Sequence, residues 1–202
     1  EMDCDMMTKT VERYFSLYPH AEIFVNGKKI SHRPKEILKS LTGFPVVDFT
    51  FEEEGKKFKI FFTLSPMEIR KLKDCPEPFK GSSGNVYVYS KDVFIGKGLG
   101  MIYNSFNLRL PNVFMVISSN DLTPTLDRTK LADSKAKSVL VNNFPKILFT
   151  ALAVYSQELK KRNEKKFREE YGYNIFDVVL NFFNAVRNSS MIKYFPSRQL
   201  FR

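Results

Sequence analysis

Tryptophan is absent from this chain of 202 residues, and histidine and cysteine occur only twice each. Neither His20 nor His32 has a cysteine or second histidine at metal-ligand spacing, which argues against a zinc site. Cys4 and Cys75 lie far apart, so we expect a reduced intracellular protein without a disulfide framework. We also find no signal peptide and no segment apolar enough to span a bilayer, which takes about 20 residues. Because the chain opens on Glu1 rather than methionine, we expect a segment of a longer protein.

Acidic residues are outnumbered by basic ones. The chain has 32 lysines and arginines against 22 aspartates and glutamates, a net charge of +10. Such an excess favours an acidic partner, namely nucleic acid, a nucleotide phosphate or an acidic protein face. Because the basic residues are dispersed along the sequence, a solvated basic surface explains the charge equally well. The 20 phenylalanines indicate a packed core rather than disorder.

The first two thirds of the chain show mainly strand-like patterns. Residues 8–18 are typical of the end of a helix that Pro19 blocks, and a short helical pattern covers 35–41. The expected strands are 21–25, 28–30, 47–51, 58–62, 86–89, 93–95 and 113–117. The pair around the glycine turn at Gly55 predicts a β-hairpin with one buried face, and 113–117 predicts the central strand. A long surface loop is expected over 65–84, which is rich in proline, glycine and serine.

Helical patterns follow Leu131. Pro145 is expected in the first turn of a helix, where no N–H group is needed. The residues that then fall on one face are Ile147, Leu148, Ala151, Leu152 and Tyr155. A second apolar stripe spans 175–186. Strands followed by helices predict an α+β fold, with a mixed or antiparallel sheet, packed helices and a helical C-terminal part.

Four blocks of sequence share their order and spacing with a known family. They are "VERYFSLYPHAEIFV" (11–25), "FTFEEEGKKFKIFFTLSP" (49–66), "VYVYSKDVFI" (86–95) and "LPNVFMVISSNDLTPTLDRTKL" (110–131). In these blocks the chain resembles the middle segment of the ninety-kilodalton heat-shock chaperone family. That family belongs to the GHKL class of ATPases, together with gyrase B, histidine kinases and MutL. The resemblance covers most of residues 8–137, and the helices that follow fit more loosely.

The resemblance implies a divergent member of this class and a ribosomal protein S5 domain 2-like middle domain. Residues 1–30 would be the end of the nucleotide-binding domain or a linker, 31–142 the α/β sandwich, and 143–202 its helical continuation. The whole protein would be a cytoplasmic, ATP-hydrolysing chaperone of the stress response that forms a homodimer and binds client or partner proteins. Mg-ATP would be held mainly by a domain outside this chain, so the fragment is not expected to be active alone.

The resemblance also implies a role for the basic residues after the central strand. Arg128 would be the catalytic residue that reaches the γ-phosphate of ATP, and Lys130 would be a second phosphate contact. A guanidinium suits this task because it is permanently charged and holds two phosphate oxygens at once. Locally, we expect Asp127 to cap a helix that Arg128 opens. The alternative is a salt bridge from Arg128 to Asp127 or Asp133 that only fixes the loop.

Several features depart from the family pattern. Ala132 stands where the family usually has a glutamine, which weakens the expectation of a second phosphate contact. The sequence Val25-Asn26-Gly27 is closer to MutL-type proteins, and Pro145 is expected to interrupt a long helix. A MutL-like or other nucleic-acid-binding module therefore remains an alternative.

Two further sets of residues are candidate binding surfaces. Six lysines could follow a phosphate backbone beside the exposed-looking Tyr87 and Tyr89; they are Lys56, Lys57, Lys59, Lys71, Lys73 and Lys80. A client surface could be built from Phe176, Phe182 and Phe183. The consecutive residues Glu52–Glu54 are expected to point to solvent at a hairpin tip rather than to form an acid–base pair.

Overall fold

The computed structural model describes residues 4–18, 21–64, 77–79, 85–98, 100–103, 113–127, 130–162, 165, 168 and 169. Four α-helices are found there: α1 (Cys4–Phe15), α2 (Pro34–Thr42), α3 (Gly100–Tyr103) and α4 (Lys135–Lys160). The strands are β1 (Phe24–Val25), β2 (Lys28–Lys29), β3 (Val47–Glu53), β4 (Lys56–Leu64), β5 (Asn85–Ser90), β6 (Val93–Lys97) and β7 (Val113–Ser119). Pro19 and the helical pattern at 175–186 lie outside the described residues.

Five of the strands form one mixed sheet in the order β3-β4-β7-β5-β6. β5 and β7 are parallel, whereas the other neighbouring strands are antiparallel. The apolar strand β7 lies in the middle of the sheet and pairs with β4 and β5, as the sequence predicted. The α+β fold class, with a mixed sheet packed against helices, is confirmed.

Two hairpin turns form where the sequence carries a polar residue followed by glycine. Asn26 and Gly27 have φ angles of 51° and 76°, and Glu54 and Gly55 have 50° and 72°. Positive φ at both central residues is the type I′ arrangement, whose twist matches that of the paired strands. These turns therefore account for the β1–β2 and β3–β4 hairpins.

The sheet is covered on both faces. On one face, α4 contributes its buried Ile147, Ala151 and Tyr155 to the larger apolar cluster. On the other face, Leu38 of α2 and Phe79 pack against Tyr87 of β5 in a second cluster. The expected hairpin with a single buried face is therefore wrong for β4, in which Phe58, Phe61, Phe62 and Thr63 are all buried.

The segment 65–84 is not simply a surface loop. Glu77–Phe79 form a 3₁₀ turn, and Phe79 is fully buried with its ring centroid 4.4 Å from that of Tyr87. The expectation is wrong at this turn because an aromatic side chain covers the second face of the sheet there. Residues 65–76 and 80–84 lie outside the described residues.

Pro145 lies inside α4, not in the first turn of a helix. The helix begins ten residues earlier, where Ser134 accepts a hydrogen bond from the backbone N–H of Lys137. Proline in a helix interior costs about 3 kcal/mol, yet the helix continues through it. Burial of Phe144, Ile147 and Leu148 on either side of the proline offsets that cost. The predicted domain division at 142–143 falls within α4.

Among the described residues, α4 is also long and apolar enough, by length and composition, to cross a membrane. The expectation that no such segment exists is wrong in that respect. The apolar residues of α4 are part of the core, because they pack against the sheet. Its apolar composition is therefore accounted for by packing within the fold.

Candidate functional site

The chain turns a sharp corner where the central strand β7 ends at Ser119. Asp121, just beyond it, accepts a hydrogen bond from Lys56 Nζ at 2.9 Å and another from the backbone N–H of Lys57 at 3.3 Å. These two donors, with the Lys56 side chain contributing most, lower the pKa of Asp121 below its ordinary value. The carboxylate therefore ties the corner to the start of β4.

Serine hydroxyls hold the same corner from two sides. Ser119 Oγ donates to the carbonyl of Lys57 at 2.6 Å and accepts from the N–H of Asp121 at 3.1 Å. Ser90, at the end of β5, donates through Oγ to the carbonyl of Leu122 at 2.5 Å. Because Ser90 and Ser119 are buried, these bonds are shielded from competing water.

We call residues 122–132 the corner loop. Its two legs pair with each other: Ala132 N–H donates to the Thr123 carbonyl at 2.8 Å, and Thr125 N–H donates to the Lys130 carbonyl at 2.9 Å. Leu122 and Leu131 anchor the legs in the main core, with exposures of 1% and 2%. The base of the loop is thus held by the core and by backbone hydrogen bonds.

The tip of the corner loop faces solvent. Leu126 is exposed to 106%, and both Asp127 and Lys130 are exposed. Thr125 Oγ1 donates to Asp127 Oδ1 at 2.5 Å, which holds the Asp127 side chain over the loop. Lys130, a predicted phosphate contact, is therefore presented outward on a base that is well fixed.

The corner loop leads into α4 through a buried lysine. Lys137 Nζ donates to the Leu131 carbonyl at 3.2 Å and to Asp133 Oδ1 at 2.8 Å. The hydrogen bond from Lys137 lowers the pKa of Asp133. Because Lys137 is only 8% exposed, it fixes the end of the loop against the first turn of the helix.

The prediction that Asp127 caps a helix opened by Arg128 is wrong. The helix after β7 begins at Lys135, and its N-cap is Ser134. Lys130 and Leu131 before it are not helical, and Leu131 forms a β-bridge with Pro124, so no helix runs on from Asp127 through these two residues. Arg128 itself and Thr129 lie outside the described residues. Asp133, the other predicted partner of Arg128, is bound by Lys137.

The glutamates at the tip of the β3–β4 hairpin bind lysines of α4. Glu53 Oε2 lies 2.9 Å from Lys146 Nζ, and Glu54 Oε2 lies 3.3 Å from Lys135 Nζ. These carboxylates are partly exposed, as the sequence suggested, and each such pair is worth only about 0–1 kcal/mol. They nevertheless place the hairpin tip beside the helix that follows the corner loop.

Sequence reasoning missed the groups that hold the corner, namely Lys56, Ser90, Ser119 and Lys137. Lys56 and Ser90 have no local signal, because each acts on a residue at least 30 positions away, and Ser119 combines a local contact to Asp121 with a distant one to Lys57. Lys137 did carry a weak signal. It lies three positions before Leu140, so it shares a helix face with an apolar residue that is buried.

The tyrosines proposed for a nucleic-acid surface are buried. Tyr87 and Tyr89, expected to be exposed, are 0% and 1% exposed because the second face of the sheet is covered. Burial raises the pKa of Tyr89 well above its ordinary value. Three of the lysines predicted to follow a phosphate backbone lie in the described residues, and each has a partner. Lys56 pairs with Asp121, Lys57 pairs with Glu52, and Lys59 lies over the ring of Phe61. Lys71, Lys73, Lys80, Phe176, Phe182 and Phe183 lie outside the described residues.

Two cavities border the corner. One is lined in part by Leu122, Thr123 and Pro124 and measures about 230 Å³, and another is lined in part by Ser119, Asn120 and Asp121 and measures about 430 Å³. Within the described part of the chain, no group of three or more histidines, cysteines or carboxylates is placed to hold a metal ion. Lys130 is an exposed cation of the same loop.

Comparison with known proteins finds no relative of this chain. No protein-family model matches this chain, and no curated protein matches it.

Proposed function

We propose that this chain is the middle segment of a GHKL-class ATPase similar to the ninety-kilodalton heat-shock chaperones. In this proposal Arg128 contacts the γ-phosphate of ATP bound by a neighbouring module of the same polypeptide, and Lys130 assists it. Docking of that module would couple hydrolysis to a conformational change and to binding of client or partner proteins. We place the protein in the cytoplasm as a homodimer when full length, which follows from the same resemblance.

The structure of the corner loop supports the proposal most directly. The base of the loop is fixed because Leu122 and Leu131 are buried and the Ala132 N–H donates to the Thr123 carbonyl. Lys130, nearer the tip, is exposed. A group that stabilises a transferring phosphoryl must be held in place beforehand, because mobility costs rate. The fixed base of the corner loop supports a role of this kind toward a phosphate delivered from outside.

The chemistry of the two cations supports different roles. The guanidinium of arginine offers a planar pair of donors, and supplying it to a phosphoryl transition state is worth roughly 10³–10⁵ in rate. The ammonium of lysine acts as a point charge. We therefore assign the larger contribution to Arg128 and a smaller one to Lys130.

The test uses the full-length protein and compares Arg128→Ala with wild type. We expect ATP turnover to fall by about 10³-fold, whereas the dissociation constant for ATP stays within a few-fold. Arg33→Ala is the matched control, because Arg33 is an exposed arginine at the start of α2. Turnover at the wild-type rate in Arg128→Ala would remove the assignment.

The nucleic-acid alternative is tested separately. It depends on the net charge of +10. DNA affinity that falls steeply with salt, measured without ATP, would favour it over the ATPase segment. Affinity that is weak at every salt concentration would exclude it.

A further inference from the structure

A further cavity lies between α2, the start of β3 and the C-terminal end of α4. It measures about 330 Å³. α2 contributes Lys35 and Lys39 to its wall, and the end of α4 contributes Val154, Glu158 and Arg162. Lys35 and Lys39 are four residues apart and therefore project from the same side of the helix.

Three cationic side chains and two carboxylates line this cavity. Asp48 lies 2.9 Å from Lys35, so that pair is already neutralised. Glu158 lies between Lys161 at 3.5 Å and Arg162 at 3.8 Å. Within the described part of the chain, Lys39 has no carboxylate at ion-pair distance, which leaves the cavity with an excess of positive charge.

One donor of Arg162 has no partner. Its Nε is buried and, among the described residues, has no hydrogen-bond acceptor. This nitrogen is shielded from solvent, whereas the Arg162 side chain as a whole is 36% exposed, so a ligand in the cavity would contact the other guanidinium nitrogens. The contact from Arg162 Nη2 to Glu158 is only a loose one at 3.8 Å, so the guanidinium can accept a further anionic partner.

We propose that this cavity binds a phosphate group of a small phosphorylated ligand through Arg162 and Lys39. The guanidinium and the ammonium come from different helices, and together they match the several oxygens and double charge of a phosphate monoester. Val47 and Val154 provide an apolar wall that fits a short carbon skeleton. The site is separate from the corner loop and does not depend on Arg128.

The experiment titrates the protein with inorganic phosphate at constant ionic strength and measures heat by calorimetry. We expect saturable binding that Arg162→Lys weakens at least about ten-fold, because lysine keeps the charge but lacks the planar fork of guanidinium donors. Lys39→Gln should weaken it similarly. Lys97→Gln is the control, since it removes the same charge from an exposed position on β6.

The outcomes separate the proposal from general charge effects. Equal affinity in the Lys39→Gln and Lys97→Gln proteins would overturn it, as would the absence of saturable binding in wild type. Succinate binding more tightly than phosphate would overturn the choice of phosphate. The melting temperature of each variant without phosphate shows that the fold is retained. ATP turnover is not part of the test, so its result is independent of the proposed role of Arg128.

Discussion

Leu131→Ala tests the claim that the corner loop has a base fixed by the core. Leu131 is 2% exposed and belongs to the main apolar cluster, whereas Leu126 at the tip of the same loop is 106% exposed. Removing a buried leucine side chain to alanine costs about 2–5 kcal/mol through lost transfer energy and the remaining cavity. The same substitution at an exposed position changes stability by about 0.5 kcal/mol or less. We therefore expect Leu131→Ala to lose about 3 kcal/mol and Leu126→Ala almost nothing.

Urea unfolding, followed by circular dichroism, measures this difference. With a slope of about 2 kcal/mol per molar urea, a loss of about 3 kcal/mol moves the midpoint by about 1.5 M. Leu126→Ala is a matched control because it makes the same chemical change in the same loop. If both variants unfold at the wild-type midpoint, Leu131 does not anchor the loop and the argument for a fixed base is refuted.

Two further predictions concern α4 and the corner. Pro145→Ala restores an N–H donor in the interior of α4, so we expect it to raise the free energy of unfolding by about 1–3 kcal/mol; an unchanged or lower urea midpoint would contradict this. The pKa of Asp121 is lowered in the folded state by Lys56 and by the Lys57 N–H, so its contribution to stability is present above its unfolded pKa, about 3.9, and is lost as the pH falls through the folded value. Asp121→Asn should therefore flatten the fall in stability on acidification below about pH 4, and urea midpoints that fall in parallel for the two proteins would count against the ion pair.

Local patterns predicted the strands and hairpins well. Asn26-Gly27 and the glycine at position 55 specify turns by themselves, since positive φ angles are accessible there at little cost. The alternation of Phe49 and Phe51 with polar residues likewise predicts β3 within a few residues of its bounds. These features depend on neighbours in the sequence.

The start of the last described helix was not predictable in the same way. Asp127 and Ser134 are both good N-cap residues, so local preference does not choose between them. Ser134 becomes the cap because residues 130–132 pair with residues 123–125 through backbone hydrogen bonds and Leu131 is held in the core, so this part of the chain is not helical. The function proposed for Arg128 stays a prediction, which the turnover experiment tests.

By itself the amino-acid sequence determined the turns, the positions of the strands and the α+β class, because these follow from contacts among neighbouring residues. Only the tertiary structure decided that Tyr87 and Tyr89 are buried, that Pro145 lies within a continuous helix, and that Lys56 binds Asp121 across 65 positions of sequence. The physical reason is that burial and long-range hydrogen bonds depend on which surfaces come to cover one another. The pattern of residues along a strand indicates that one of its faces is apolar. It does not indicate whether another element will pack against the opposite face.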